Sequence, residues 1–279
     1  MNNGREALDW APERWTRLDQ AVHEEMQRTG IASRLLPVRG PLPDAATVPA
    51  EVIDTQTMTV EDAAVLPLVE LSVEFGLTEQ QVEAEAEQET ALTLATRAGN
   101  LLAQAEDLLI FQGDKAQGNP LFATVKRRGS AGRGLLASAA SDVNVEPAAN
   151  GNGGTKTVEA VVKAYGQLQR RAQAGPYGLV LGSEQYADTF EPLANTLALP
   201  IDRLRPLVTQ GLFGTGSLPE SAGLVLSLGG ATLDLVVGAD PTTTFLQVDG
   251  DGVYRFRVFE RFAVRLKDPE ALVRLDYAH

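Results

Sequence analysis

Cysteine is absent from all 279 residues, which excludes disulfides, thiol chemistry and cysteine-ligated metal. Histidine occurs twice, at His23 and His279, so a Ser-His-Asp triad or a multi-histidine zinc site would rest on those two alone. Basic residues are short against acidic ones, 24 to 37, for a formal charge of −13. A surface that acidic disfavours nucleic acid, which is bound through a basic footprint, and anionic lipid alike. Long apolar runs are missing too. The longest, Gly223 to Gly238, is interrupted by Asp234 and by Gly229-Gly230, and a spanning helix needs about 20 apolar residues. It predicts two strands joined by a Gly-Gly turn. The first residues have no apolar stretch behind a basic start, so no secretory signal is expected and a cytoplasmic location is. Neither Gly-x-Ser-x-Gly nor Gly-x-Gly-x-x-Gly occurs.

What is present is an ordinary globular composition, 44% apolar and 22% charged, in a chain long enough for a sizeable core. Trp15, Leu18, Val22 and Met26 recur at helical spacing, which predicts an amphipathic helix from Pro12 to about Thr29, stopped by Gly30. Residues 41–64 hold three prolines and no helical period, and predict a long extended excursion, a feature that usually has a role. Residues 65–77 alternate as one half-buried strand. Thr78 and Gln81 form a capping box before a helix of some 30 residues ending at Gly113, about 45 Å long. A Gly-Asn break at 150–154 opens a second unit, with Thr157 as a candidate helix cap. Strands follow at 178–181, 223–228, 232–237, 243–248 and 253–266. The order is α+β with antiparallel hairpins.

Several motifs have an ordinary explanation. Gly154-Thr155-Lys156-Thr157 lacks the Gly-Lys-Ser/Thr order of a phosphate loop and predicts a helix start. Asp249-Gly250-Asp251-Gly252 is a hairpin turn and not a calcium loop. Glu83, Glu85, Glu87 and Glu89 predict a solvated acidic face. Arg255, Arg257, Arg261 and Arg265 share one face of the last long strand, where carboxylates of a neighbouring strand or subunit can pair with them. No catalytic residue, metal ligand or cofactor is nominated, and His23 falls off the apolar stripe.

Six segments in order over about 260 residues resemble the family 1 encapsulins, the linocin-like shell proteins with the HK97-type capsid fold of tailed phages. They are Ala11-Pro12-Glu13-Arg14-Trp15 with Leu18-Asp19, Arg34 to Pro41, Pro67 to Leu71, Glu106 to Gly113, Gly175 to Val180, and Asp268-Pro269-Glu270-Ala271-Leu272. The resemblance implies an N-terminal helical arm (1–40), an extended loop reaching over a neighbouring subunit (41–66), a peripheral domain (67–145 and 242–279) and an axial domain (146–241). It implies a non-enzymatic, self-assembling icosahedral shell that encloses a cargo protein and passes small solutes. The cargo would be ferritin-like or a peroxidase, held through a short C-terminal peptide. The docking residues implied are Trp15, Leu18, Val22, Leu35, Leu36, Val38, Phe245 and Val248. Leu193, Ala194, Asn195, Thr196 and Leu197 would line a neutral five-fold pore. Pro37 stands where the family commonly has an acid that meets the cargo peptide, and Gln80 stands where some members carry a flavin-binding tryptophan, so no flavin is expected. The rival readings are a prophage capsid protein packaging DNA and a linocin-like bacteriocin or peptidase.

Overall fold

A computed structural model describes residues 4–43, 45–62, 64–147, 153–192 and 197–278. Helix α1 (Pro12–Thr29) has the predicted bounds. Pro12 takes the first turn, where a missing N–H costs nothing, and the Gly30 N–H closes on the Met26 carbonyl at 2.7 Å. A short turn, α2 (Ala32–Leu35), and a two-residue strand, β1 (Val38–Arg39), follow.

The excursion is a ribbon, not an unstructured loop. Strands β2 (Thr47–Pro49), β3 (Val52–Asp54), β4 (Thr59–Glu61) and β5 (Val65–Pro67) pair as β2 with β5 and β3 with β4. The Asp54 carboxylate accepts from the Gln56 and Thr57 N–H groups and sets the turn. Three-residue strands are too short for alternation to register. The expected single strand at 65–77 divides at Leu68, whose N–H turns to the Ala46 carbonyl, and β6 (Val69–Leu77) continues in another sheet.

The capping box forms as expected: the Thr78 hydroxyl accepts from the Gln81 N–H, and the Gln81 side chain accepts from the Thr78 N–H. The 30-residue helix does not. It breaks into α3 (Glu79–Glu83), α4 (Glu85–Gln88) and α5 (Thr90–Gln112) at Glu89, which has φ 51°. Glu85 explains the break. Its buried carboxylate accepts from the Ala91 and Leu92 N–H groups at 2.7 and 3.1 Å and caps α5 from the preceding turn. The acidic run is therefore mixed: Glu83 and Glu87 are exposed, Glu85 is a cap, and Glu89 meets Arg17 at 2.6 Å. The spine is the 23 residues of α5, about 34 Å at the helical rise.

Strand β7 (Lys126–Arg128), helix α6 (Gly134–Ser138), strand β8 (Ser141–Val145) and helix α7 (Gly153–Arg170) come next. Thr157 lies within α7, not at its cap; its buried hydroxyl bonds the Gly153 carbonyl and the Tyr277 hydroxyl. Strand β9 (Tyr177–Gly182), helices α8 (Ser183–Asp188) and α9 (Pro200–Leu204), and strands β10 (Gly211–Thr215), β11 (Ala222–Ser227), β12 (Leu233–Val248), β13 (Tyr254–Leu266) and β14 (Leu272–Tyr277) complete the chain.

Two five-stranded sheets result, in the orders β1-β12-β13-β6-β7 and β10-β9-β11-β14-β8. This corrects two expectations. β11 and β12 are not a hairpin, because the chain changes sheets between them; the Thr232 hydroxyl, bonded to the Ser227 carbonyl at 2.7 Å, holds the crossing. The segments expected at 232–237 and 243–248 are one bulged strand, β12. The change of sheet also falls elsewhere than the 145/146 and 241/242 boundaries. β8 and the terminal β14 belong to the second sheet, and all of β12 belongs to the first. Strands with the same apolar content carry no mark of which sheet they enter.

Candidate functional site

The N-terminal arm is fastened to the first sheet by Asp19. Its carboxylate accepts from the Arg5 guanidinium at 2.6 and 2.7 Å and from the Thr243 N–H at 2.8 Å. Arg5 also donates to the Thr243 carbonyl. Below this clamp Trp10, Trp15, Phe245 and Phe256 form an aromatic cluster with centroids 5.1–6.3 Å apart. The entry to α2 is fixed by Asp107, which accepts from the Ile31 and Ala32 N–H groups. Burial pushes that carboxyl up to about 6, against the pull of those two donors and of Arg34. β1 then pairs parallel with β12, Val38 opposite Leu235, and the Leu235 N–H donates to the Pro37 carbonyl at 2.9 Å. Pro37 thus supplies a backbone acceptor to β12.

These elements enclose a groove of about 470 Å³. α1 contributes His23, Met26 and Gln27; the α2 segment contributes Ser33 and Arg34, and β1 contributes Val38. β12 provides Leu235, Val237, Asp240 and Pro241. Glu106 of α5 and Glu260 of β13 complete the lining. A bulge in β12 shapes one wall. Ala239 pairs with Arg261 and Thr242 with Phe259, so Asp240 and Pro241 leave the ladder beside Glu260. Proline has no N–H to give a ladder, and bulges commonly re-aim side chains at a site.

Of the eight expected docking residues, six belong to the core. Trp15, Leu18, Val22, Leu35, Leu36 and Phe245 are buried, and their side chains are already packed. An isolated amphipathic stripe must cover itself, and this one does so against α5 and the first sheet. Val38 is 52% exposed and lines the groove. Val248 is 47% exposed at the end of β12, outside the groove lining. Of the expected pore loop, Leu193, Ala194, Asn195 and Thr196 lie outside the described residues; Leu197 is 94% exposed.

Of the groove lining, sequence reasoning expected Val38 alone and missed the rest, Glu106, Leu235, Val237, Pro241 and Glu260 among them. One signal existed. Glu260 falls in phase with Phe256, Val258 and Phe262 on the apolar face of β13, where an acid is out of place. The arginine ladder opposite is largely paired within the chain. Arg255 meets Asp249 at 2.6 Å, Arg257 meets Glu70 at 3.6 Å, and Arg265 meets Asp234 at 2.8 Å. Arg261 departs from the expected carboxylate pairing and donates to the Pro43 and Ala45 carbonyls. The Asp249–Gly252 hairpin turn forms, with Asp249 accepting from the Asp251 and Val253 N–H groups.

Two sheets, a spine helix, a β-ribbon and an N-terminal helix laid on the first sheet define the HK97-type capsid fold. A virus-like particle from Pyrococcus furiosus superposes with a TM-score of 0.69 at 21% identity, over 95% of this chain and 100% of that one. The capsid of Myoviridae phage XM1 superposes at 0.57 and 13% identity, over 88% and 90%. At the sequence level, the family described as "Encapsulating protein for peroxidase", the linocin family, matches residues 1–263. The type 1 encapsulin shell protein of Myxococcus xanthus is 28% identical, over 95% of this chain and 93% of its own. The chain belongs to the linocin-like family 1 encapsulins, a family of shell proteins.

Proposed function

We propose that this chain assembles into a closed icosahedral shell and that the groove between α1, β1 and the β12 bulge holds a short C-terminal peptide of an enclosed enzyme. The observation that carries the docking half is the groove itself. It is preformed on the N-terminal arm, walled by Met26, Leu235, Val237 and the exposed Val38, and filled by no other part of the described chain. The family description makes a peroxidase the first cargo to test, with a ferritin-like enzyme second. The assembly half is supported by apolar side chains left in water. Met58 is 82% exposed on the ribbon, and Val52, Val60 and Val65 of the same ribbon are exposed as well. Apolar groups gathered on one exposed ribbon suit burial against another copy, and repetition of one contact around closed symmetry builds a shell. Within that reading the ribbon crosses to a neighbouring subunit, Leu197 belongs to a five-fold pore, and the chain catalyses nothing itself.

The test is co-expression with a fluorescent protein carrying the C-terminal tail of the neighbouring peroxidase or ferritin-like gene, followed by electron microscopy and fluorescence of purified particles. Hollow polyhedra that retain the fluorescent protein are expected, as is its loss with Val38→Asp while the polyhedra persist. A small monodisperse species, with and without the cargo protein, would defeat the shell reading. Unchanged loading by the variant would move docking away from the groove.

A further inference from the structure

The two halves of the ribbon are fastened differently. The inner pair, β2 and β5, is held by apolar packing: Val48 and Leu68 are buried with Val236 and Ala263, and Ala45 and Leu66 lie against them. The outer pair, β3 and β4, has no buried residue. The polar contacts that tie residues 51–62 to the body, among the described residues, are those of Glu51 and Ile53. The Glu51 carboxylate meets Arg265 at 2.9 Å and Lys267 at 2.7 Å. The Ile53 N–H donates to the Lys267 carbonyl at 2.9 Å. Glu51 itself has φ 31°, a conformation that favours glycine and that a glutamate keeps only where its surroundings hold it.

Arg265 and Lys267 are buried, and Asp234 engages both, at 2.8 and 3.3 Å, with Arg39 as a further cation at 2.9 Å. Asp234 alone would leave a positive centre. Glu51, its side chain 30% exposed, adds the second negative charge from the ribbon. Without it Arg265 and Lys267 still have Asp234, so the body does not need Glu51 to fold, whereas the outer hairpin has no other ion pair to the body among the described residues. A cavity of about 530 Å³ lies alongside. Ala50 and Val52 line it from the ribbon, and Leu109, Leu135 and Val264 from the body. The segment that carries Glu51 thus borders open space and not a packed layer. We infer that Glu51 is an ionic latch: it fixes the angle of the β3–β4 hairpin against the first sheet, and its release lets that hairpin swing on the inner pair. Latched, the ribbon presents Val52, Met58 and Val60 in one orientation. Every contact involved lies within one chain, so the inference stands apart from the shell reading. The bond from Lys267 and the Arg265 charge hold the Glu51 carboxyl below its ordinary 4.5, against burial and the Asp234 charge. The latch is therefore closed above that value and opens as pH falls below it.

The chain has no cysteine, so Met58→Cys and Gln104→Cys place spin labels on the ribbon and on α5 and nowhere else. Labelled full chain is diluted into unlabelled chain, and the distance is read by double electron–electron resonance. One narrow distance is expected with Glu51 in place, and a broadened distribution with Glu51→Gln, which keeps the side-chain shape and removes the charge. Hydrogen exchange of the Ile53 amide should speed up about tenfold in Glu51→Gln. The Leu68 amide, bonded to Ala46 at the ribbon base, should be unchanged. Adding Lys267→Met to Glu51→Gln should change the Ile53 rate by less than about twofold, because both substitutions break one contact. Acidification needs no variant: the distance in the unaltered ribbon should broaden as pH falls below 4.5, while tryptophan fluorescence shows the fold intact. An equally narrow distance in Glu51→Gln, equal acceleration at Ile53 and Leu68, single effects that multiply in the double variant, or a distance that stays narrow in acid would each overturn the latch.

Discussion

Replacing Glu260 by glutamine should stabilise the protein, and the gain should grow with pH. The side chain is buried, and burial together with the nearby Asp107 charge pushes its carboxyl from the ordinary 4.5 to about 8. An unfolded chain loses that proton near 4.5, whereas the folded chain keeps it until about 8. Between those values the folded state binds more protons than the unfolded state, so stability falls as pH rises. Below the lower value no penalty exists, and above the upper one it is complete. At about 1.4 kcal/mol per pH unit, the interval corresponds to ~5 kcal/mol as an upper bound, which water entry and relaxation reduce to roughly 2–5. Glutamine never ionises and carries none of this. For a chain of this size ~1 kcal/mol moves Tm by about 2 °C, so Glu260→Gln should gain roughly 4–10 °C near pH 9 and almost nothing near pH 5. The two tryptophans, Trp10 and Trp15, both sit in the cluster between α1 and β13, so intrinsic fluorescence reports on this region during a thermal ramp. A variant gain independent of pH, or a variant less stable than the parent at alkaline pH, would refute the assignment of Glu260 as a buried, protonated acid.

Asp234→Asn acts in the opposite sense. Burial pushes the Asp234 carboxyl up, but Arg265 and Lys267 at 2.8 and 3.3 Å pull it below the ordinary value, and Arg39 also meets it at 2.9 Å. Its stabilisation is present above the ordinary carboxylate range and is lost as pH falls below it; at neutral pH the substitution should cost about 1–3 kcal/mol, read as a lower Tm, because buried Arg265 and Lys267 lose one carboxylate and keep Glu51 at 2.9 and 2.7 Å. Asp19→Ala removes the acceptor of Arg5 and of the Thr243 N–H, so cleavage ahead of Pro12 in limited proteolysis should accelerate, with a stability loss of about 1–3 kcal/mol. Leu197→Asp should leave Tm within about 0.5 kcal/mol equivalent, since the side chain is almost wholly in water, and should slow anionic solutes entering the particle. Unchanged solute flux would remove Leu197 from the pore.

The features legible in the sequence were those encoded over short range. α1 was readable because four apolar residues repeat at helical spacing between a proline and a glycine, and the capping box because Thr78 and Gln81 act within one turn. The break in the spine was not, because it depends on Glu85 reaching forward to the N–H groups of Ala91 and Leu92, and an acid in an acidic run looks like its neighbours. The sheet change between β11 and β12 was hidden for a similar reason: both segments are apolar, and partner choice is set by strands far away in the chain. The groove was partly legible. Val38 was among the expected residues, whereas Leu235, Val237 and Glu106 join it only through the β1–β12 pairing and the packing of α5. Glu260 alone left a local trace, as an acid in phase with the apolar residues of its strand.

The burial of the N-terminal arm changes how docking has to be tested. An exposed helix stripe would make deletion of residues 1–30 the natural experiment. Here that deletion removes Trp10, Trp15, Leu18, Val22 and Met26 from the core beneath α5 and the first sheet. Fully burying one such side chain contributes about 1.5–3 kcal/mol, so losing five, ~8–15 kcal/mol, is comparable to the whole stability of a typical domain. The deletion also strips Asp19, and with it the bond to the Thr243 N–H on β12, the strand that supplies Leu235, Val237, Asp240 and Pro241 to the groove. A deleted chain that fails to hold cargo would have lost the wall of the groove as well as the helix over it, and the result would not distinguish them. The separation lies in side chains that point into the groove without filling the core. Val38, half exposed, can be changed with little effect on folding, and Glu260 can be changed with a gain in stability. Loss of cargo from intact particles of a chain as stable as its parent, or more stable, would assign docking to the groove.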